Sequence, residues 1–410
     1  MRNITDNLLY MTDLLFTPFR LGPLTLKNRS IRAAAFEGMC SGHLASDDLL
    51  NYHRSVAEGG IGMTTVAYAA VSQSGLSFNH QLWLRKEALA GLKSLTDAVH
   101  KAGAAAAIQI GHCGQMAKTA VSGECFSPSG RFNLYGPTWP RTMRKNDIRK
   151  VVIDFGRAVK LAREGGFDAV EVHAGHGYLI SQFLSPYTNR RRDEYGGIFA
   201  NRCRFMKEVI SEVMSAAGSD IAVLVKMNLR DGFEGGMELD ESIEVSKILE
   251  QAGVHALVLS GGFVSNAPMY VMRGRMPVRV MAHYMHEQWM KPFVRWFGNL
   301  LIKPEPYSEA YFIENARQIR KSVILPLVYV GGLVSKAAIE MVLGEGFEFV
   351  QIARALIHDP AFINKIKTGE LTVSGCNHAN YCIAVMYSGK MACYQNEKDR
   401  SAPWLKYLEG

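Results

Sequence analysis

Short apolar runs rich in β-branched residues alternate with amphipathic segments along most of the chain. Several of the runs, such as AVLVKM and ALVLSG, are apolar at almost every position, which is typical of parallel strands covered on both faces. The amphipathic segments between them end in glycine, as helices commonly do. The predicted strands are Ser30–Phe36, Gly62–Val71, Ala104–His112, Ala169–Ala174, Ile221–Asn228, Ala256–Gly262, Leu325–Gly331 and Phe349–Ala355.

Eight such repeats favour an α/β fold of the closed (β/α)8 (TIM) barrel type over an open sheet. No GxGxxG motif follows the first strand, so a dinucleotide-binding domain is unsupported. We expect the barrel to occupy residues 1–370.

Three segments lie outside the repeat. Residues 14–29 contain two short runs around Gly22 and Pro23, which predict a hairpin before the barrel. A long insertion, residues 263–306, separates the sixth and seventh strands. It is rich in Met and Trp, and its helix could lie on a membrane surface, but packing on the barrel or on a partner subunit is the favoured interpretation. Residues 371–410 form a C-terminal extension that contains cysteines.

Composition and charge exclude several classes of protein. With 48% hydrophobic and 20% charged residues, the 410-residue chain can bury a large core and is not disordered or collagen-like. The net charge is +8, but the charges are interspersed and no nucleic-acid-binding motif is present. No apolar run is long enough to span a membrane. Asp6 and Asp13 interrupt the N-terminal apolar stretch and the cysteine count, seven, is odd, so we expect a cytoplasmic protein without a signal peptide.

The motif VEVHAGHGYL, residues 170–179, carries the candidate chemistry. It starts in the predicted fourth strand and runs past the strand's C-terminal end, where barrels build active sites. His173 and His176 can donate hydrogen bonds to one oxygen, and Tyr178 adds a phenolic proton, which suits reduction of a C=C bond next to a carbonyl. The pair could equally be structural, or bind a metal ion, although no third protein ligand is identifiable. The spacing alone leaves these three interpretations open.

The longer stretch VEVHAGHGYLISQFLSPYTNRRRDEYGG resembles the central signature of the Old Yellow Enzyme family of flavin-dependent ene-reductases. Four further motifs occur in the family's order: FTPFRLGPLTLKNR, IQIGHCGQ, YVGGL and ARALIHDP. The resemblance covers nearly the whole chain. It implies an FMN-binding barrel that takes hydride from NAD(P)H and reduces the C=C bond of α,β-unsaturated carbonyl compounds. A small-molecule substrate, no membrane span and a homo-oligomer are expected.

The resemblance also implies a role for individual residues. His173 and His176 match the pair that binds the substrate's carbonyl oxygen, and Tyr178 matches the proton donor. On the flavin, Gln109 matches the residue at the pyrimidine edge and Lys226 the basic residue near N1 and O2. The residues that match the phosphate end of the site are Gly331, Gly332, Ala353 and Arg354.

Two features depart from the family's pattern. Phe36 stands where other members place a Thr or Cys that hydrogen-bonds the flavin, so the substrate pocket and the flavin potential are expected to differ. Cys376, Cys382 and Cys393 resemble the [4Fe–4S] segment of the larger dienoyl-CoA reductase and trimethylamine dehydrogenase relatives, but Ala379 replaces a further cysteine. We therefore expect a degenerate segment without iron. An alternative function is a demethylase-like dehydrogenase subunit that passes electrons to a partner.

Overall fold

In the computed structural model, which describes residues 14–133 and 138–395, eight parallel strands close into a barrel. The strands in chain order are β1 (Phe19–Leu21), β2 (Leu24–Leu26), β3 (Ser30–Arg32), β4 (Met63–Ala70), β5 (Ala105–Gly111), β6 (Phe126–Ser127), β7 (Arg141–Thr142), β8 (Ala169–Ala174), β9 (Ala222–Asn228), β10 (Ala256–Ser260), β11 (Leu327–Val330) and β12 (Phe349–Ile352). The barrel order is β3-β4-β5-β8-β9-β10-β11-β12, and β12 pairs with β3 to close it. The predicted (β/α)8 barrel is confirmed.

Helices alternate with the barrel strands. They are α1 (Asp47–Glu58), α2 (Leu89–Lys101), α3 (Thr119–Ser122), α4 (Lys145–Glu164), α5 (Leu179–Leu184), α6 (Phe199–Arg202), α7 (Arg204–Ala217), α8 (Leu239–Gln251), α9 (Pro268–Met272), α10 (Val278–Tyr284), α11 (Lys291–Leu301), α12 (Ile313–Arg320), α13 (Lys336–Gly344), α14 (Arg354–His358), α15 (Phe362–Thr368) and α16 (Tyr381–Ala384). Local sequence sets several ends: Ser46 caps α1 by accepting a hydrogen bond from the Leu49 N–H at 3.2 Å, and α4 stops at Gly165.

Each predicted strand coincides with a barrel strand, but most were predicted too long at their C-terminal ends, the first and the last by the most. The first ends at Arg32 and not at Phe36: beyond Arg32 the backbone leaves the sheet, and the buried Arg32 guanidinium donates to the carbonyl oxygens of Thr65 at 2.7 Å and Ala35 at 2.9 Å. The last ends at Ile352 because the next residue, Ala353, precedes α14. The residues beyond these strand ends are free to form a cavity wall.

The N-terminal hairpin closes the bottom of the barrel. Strands β1 and β2 pair antiparallel around Gly22, as predicted. Leu21 and Leu26 are buried in a cluster with residues from the strand starts, including Met63. The ring of Phe19 meets Phe349 edge to face at 5.3 Å. The hairpin covers the N-terminal end of the barrel, and barrel active sites lie at the opposite end.

The insertion and the C-terminal extension pack on each other above the open end. Helices α9, α10 and α11 belong to the insertion, and Val280 of α10 shares a buried cluster with Ala384 and Val385 of the extension. His80 bonds the carbonyl oxygen of Met386 at 2.9 Å, which fixes the extension to the barrel. The early part of the insertion is therefore packed, whereas α11 exposes most of its surface.

Among the described residues, no helix is both long and apolar enough to cross a membrane. The predictions made for Asp6, Asp13 and residues 396–410 fall outside the described part of the chain.

Candidate functional site

The histidine motif turns sharply where β8 ends. His176 has a φ of 57°, in the left-handed region that non-glycine residues rarely adopt. Its N–H donates to the Asn228 Oδ1 at 2.9 Å, which holds the turn. The next residue, Gly177, has a φ of 77°, and a Cβ there would lie 2.4 Å from the Phe263 ring. The glycine is thus required by both backbone conformation and space.

This turn brings His173, His176 and Tyr178 together, as the sequence predicted. The two imidazole rings lie 5.0 Å apart, centroid to centroid, at an interplanar angle of 88°. The Tyr178 ring lies 4.4 Å from His173 and 4.9 Å from Tyr68. His176 also bonds Ser260 through Nε2 and Oγ at 2.7 Å. Two imidazoles and a phenol thus share one small region at the C-terminal end of β8.

Burial sets the protonation of these groups. Burial, with help from the positive charge of Lys226, lowers the pKa of His176 to about 3. Burial, His176 and Lys226 lower the pKa of His173 well below its ordinary value. Burial, and then the nearby Cys113, raise the pKa of the Tyr178 phenol. At neutral pH the site therefore holds two neutral imidazoles and a protonated phenol, which are hydrogen-bond and proton donors rather than fixed charges.

A buried carboxylate organises the polar residues inside the barrel. Glu171 forms an ion pair with Lys226 at 2.8 Å between Oε1 and Nζ, and the Gln109 Nε2 donates to the same oxygen at 2.6 Å. The Gln351 Nε2 donates to Oε2, also at 2.6 Å. The ion-pair partner of Lys226 is thus Glu171. Asp231, another nearby carboxylate in the sequence, instead accepts a hydrogen bond from the Asn228 amide at 2.8 Å. Three strands contribute groups to this one carboxylate.

Sequence reasoning missed Glu171 and Gln351. The available signal was strand alternation: Glu171 precedes His173 by two residues on β8, so both side chains point to the same face. Register also places Glu171 beside Gln109 and His173 beside Lys226. Gln351 is not part of any family motif quoted above. Its strand, β12, comes close to Glu171 only when the barrel closes.

A cavity opens at the C-terminal end of the barrel, with about 1110 Å³ of non-atom space including its mouth. The predicted site residues that line it are Phe36, His176, Lys226, Gly331, Gly332, Ala353 and Arg354. Gln109, His173 and Tyr178 lie outside its lining. Gln109 is connected to the cavity through Glu171, and His173 and Tyr178 through contact with each other and His176. The extension adds Cys382, Ile383, Met386 and Met391 to the lining.

Two consecutive glycines, Gly331 and Gly332, form part of the cavity wall. Gly332 has a φ of 73°, and a Cβ there would lie 2.8 Å from the Ser308 carbonyl oxygen. A Cβ at Gly331 would lie 2.9 Å from the ring of Phe312. The Arg354 guanidinium donates to the Asn380 Oδ1 at 2.8 Å and remains partly exposed. Backbone without a Cβ at two consecutive residues, together with a guanidinium, suits a phosphate group.

Other features of the cavity also suit a flavin. The Gln351 Oε1 is buried without a hydrogen-bond partner in the described structure, although the residue lines the cavity, so it offers an acceptor to a bound ligand. Lys226 supplies a positive charge. Phe36, whose ring lies 5.0 Å from Phe78, supplies an apolar wall in place of a hydroxyl. The residues present therefore fit a planar ligand with a polar edge and a phosphate tail.

The three cysteines of the extension gather beside this cavity. Cys376, Cys382 and Cys393 line a smaller cavity together with Arg354. The Cys393 Sγ lies 3.2 Å from the His358 Nδ1. Within residues 14–133 and 138–395, no group of three or more His, Cys, Asp or Glu side chains is arranged to hold a metal ion. The expected absence of a [4Fe–4S] cluster stays a prediction.

Comparison with known proteins places the chain in a family. Residues 14–300 match the model of the NADH:flavin oxidoreductase / NADH oxidase family. A 4,4'-dithiodibutanoate disulfide reductase from Rhodococcus erythropolis is 41% identical over 382 residues, which cover 92% of this chain and 94% of that protein.

Solved structures share the fold. A 2-naphthoyl-CoA reductase complex superposes with a TM-score of 0.80 at 24% identity, covering 95% of this chain and 58% of that one. An Old Yellow Enzyme homologue from Zymomonas mobilis superposes with a TM-score of 0.70 at 22% identity, covering 89% and 95%. The resemblance read from the sequence motifs is confirmed: this chain shares the fold of an Old Yellow Enzyme homologue and belongs to the NADH:flavin oxidoreductase / NADH oxidase family.

Proposed function

We propose that this protein binds FMN, takes reducing equivalents from NAD(P)H, and reduces the C=C bond of small α,β-unsaturated carbonyl compounds. The observation that carries the proposal is the pair of neutral imidazoles beside a protonated phenol, with His176 lining the cavity. FMN, when bound, supplies the hydride for this chemistry. Gln351, Lys226 and Arg354 are the residues that would hold it, together with the backbone of Gly331 and Gly332.

The chain's own residues bind and polarise the acceptor. His173 and His176 donate hydrogen bonds to the carbonyl oxygen, which makes the β-carbon more electrophilic. Because burial keeps both rings neutral, each ring has one N–H to donate and the site carries no fixed imidazolium charge. Tyr178 then gives its proton to the α-carbon. Its raised pKa keeps that proton in place until the acceptor becomes strongly basic.

Substitution of Tyr178 by Phe tests the assignment. The variant should reduce a cyclic enone at least about 100-fold more slowly, as expected when a positioned general acid is lost. Reduction of the flavin by NAD(P)H should stay near the wild-type rate, because that half-reaction needs no proton from Tyr178. Stopped-flow absorbance of the flavin measures both half-reactions separately. Tyr195→Phe is the matched control, since its hydroxyl bonds Glu208 at 3.1 Å outside the site. Equal enone rates in wild type and Tyr178→Phe would refute the proton-donor role.

Disulfide reduction is a second candidate, favoured by the 41% identical disulfide reductase. A disulfide accepts two electrons to leave as two thiolates, which take up two protons from water to become thiols, so no carbon has to be protonated and no carbonyl has to be bound. The Tyr178→Phe variant separates the candidates: it should slow enone reduction while leaving reduction of a dicarboxylate disulfide within a few-fold of wild type. A wild-type enzyme that reduces the disulfide and no enone would replace the first candidate by the second.

A further inference from the structure

The insertion ends in a helix whose apolar side chains face solvent. Helix α11 is anchored by Val294 and Gly298, and a Cβ at Gly298 would lie only 2.4 Å from the Val278 side chain of α10. On the remaining surface, Trp296 is 83% exposed. The other large apolar side chains that are at least half exposed here are Trp289, Phe293, Phe297, Leu300 and Leu301. A contiguous exposed patch of this kind marks an interaction surface.

The same region is strongly basic. The insertion, residues 263–306, contains six Lys or Arg and two acidic residues, Glu287 and Glu305, so its formal charge is +4. Glu287 is already paired with Lys118 at 2.8 Å. Lys291, Arg295 and Lys303 lie within residues 288–304, where the sequence has no acidic residue. Apolar side chains and cations are thus interleaved along α11 and the residues that directly follow it.

We propose that α11 docks this protein on an anionic lipid bilayer. Trp, Phe and Leu side chains beside Lys and Arg are what a helix lying in the membrane interface presents, because the rings enter the acyl-chain boundary while the cations meet acidic headgroups. An 11-residue helix is only about 16 Å long, too short to cross the bilayer, so it lies on the surface.

Charge also distinguishes the bilayer from a second copy of the chain. If two copies of this face packed on each other around a twofold axis, two copies of residues 288–304, which contain cations and no acidic residue, would be brought together. An anionic bilayer neutralises those same charges. The proposal concerns this surface alone and does not depend on the reaction proposed above.

Flotation of the flavin-loaded protein with lipid vesicles tests the proposal. Wild type should float with phosphatidylcholine vesicles that contain about one third phosphatidylglycerol, and much less with phosphatidylcholine alone or at high salt. Trp296→Glu should lower the partition coefficient at least about tenfold, and Lys303→Glu should weaken binding to the anionic vesicles only. The matched control is Ile324→Glu, because Ile324 is 92% exposed on a different part of the surface. Circular dichroism and flavin content check that each variant is folded.

Two results would overturn the proposal. One is wild-type protein that fails to float with anionic vesicles at low salt. The other is a Trp296→Glu variant that floats as well as Ile324→Glu. Sedimentation velocity identifies the competing occupant: a wild-type dimer that Trp296→Glu dissociates, together with no vesicle binding, would assign the face to a second copy of the chain.

Discussion

Replacing Glu171 by Gln should destabilise the protein more than any single surface substitution. The substitution is nearly isosteric, but it removes a negative charge. Among the described contacts, that charge is the one paired with the Lys226 ammonium group. It also replaces one of the two carboxylate oxygens that accept from the amides of Gln109 and Gln351, both at 2.6 Å, by an NH2 group that cannot accept. The side chains of Glu171 and Lys226 are 1% and 4% exposed, so water cannot replace the lost contacts without entering the barrel.

The magnitude follows from the burial of the pair. Coulomb attraction across 2.8 Å is about 6 kcal/mol at an effective dielectric constant of about 20. Part of this attraction is offset by the cost of removing both charges from water, and breaking such a pair by deleting one partner costs about 3–5 kcal/mol. We expect a loss of that size in the free energy of unfolding. Adding Lys226→Met should restore part of it, because no charge is then left unpaired.

Urea unfolding, followed by far-UV circular dichroism on samples of equal flavin content, measures the loss. Glu244→Gln is the matched control: its pair with Lys247 is also short, at 2.7 Å, but both side chains are about half exposed, so the change should be below about 1 kcal/mol. The reasoning is refuted if Glu171→Gln costs no more than Glu244→Gln. The reasoning also fails if adding Lys226→Met to Glu171→Gln lowers the free energy of unfolding by a second loss of the same size.

Three further predictions concern the rest of the site. Gly332→Ala should weaken FMN binding and cost more stability than Gly42→Ala, since both have positive φ but only Gly332 has atoms where the new Cβ would lie; fluorescence titration of flavin and urea unfolding check this. A pKa of about 3 for His176 in the folded state, below the ordinary value of 6.5, means that only the unfolded chain binds a proton between those values. This histidine therefore lowers stability by about 1.4 kcal/mol per pH unit on acidification through that window, and His176→Asn should reduce the measured slope by that amount. Finally, a phenol bound at the two imidazoles should give a long-wavelength charge-transfer band with oxidised flavin in wild type and not in His173→Ala.

Much of the fold was predictable because parallel barrel strands carry a local signature. β8, for example, is buried at all six positions, and both of its ends were predicted correctly from the sequence. The strand before Phe36 was predicted too long because apolar Ala33, Ala34 and Ala35 continue the pattern, although the backbone has already left the sheet. The pattern of hydrophobic and polar positions reflects burial. A buried cavity wall therefore shows the same pattern as a buried strand.

The candidate site divides in the same way. The proximity of His173, His176 and Tyr178 was readable because they lie within six residues at a strand end. The contacts of Glu171 with Gln109, Lys226 and Gln351 were not readable, because they join residues up to 180 positions apart and exist only once the barrel has closed. The exposure of α11 was also beyond the sequence, which shows a helix to be amphipathic but not what covers it. The sequence by itself determined which residues are buried or clustered along the chain; the closed barrel decided which distant charges meet, because their separation in space depends on strand order and register.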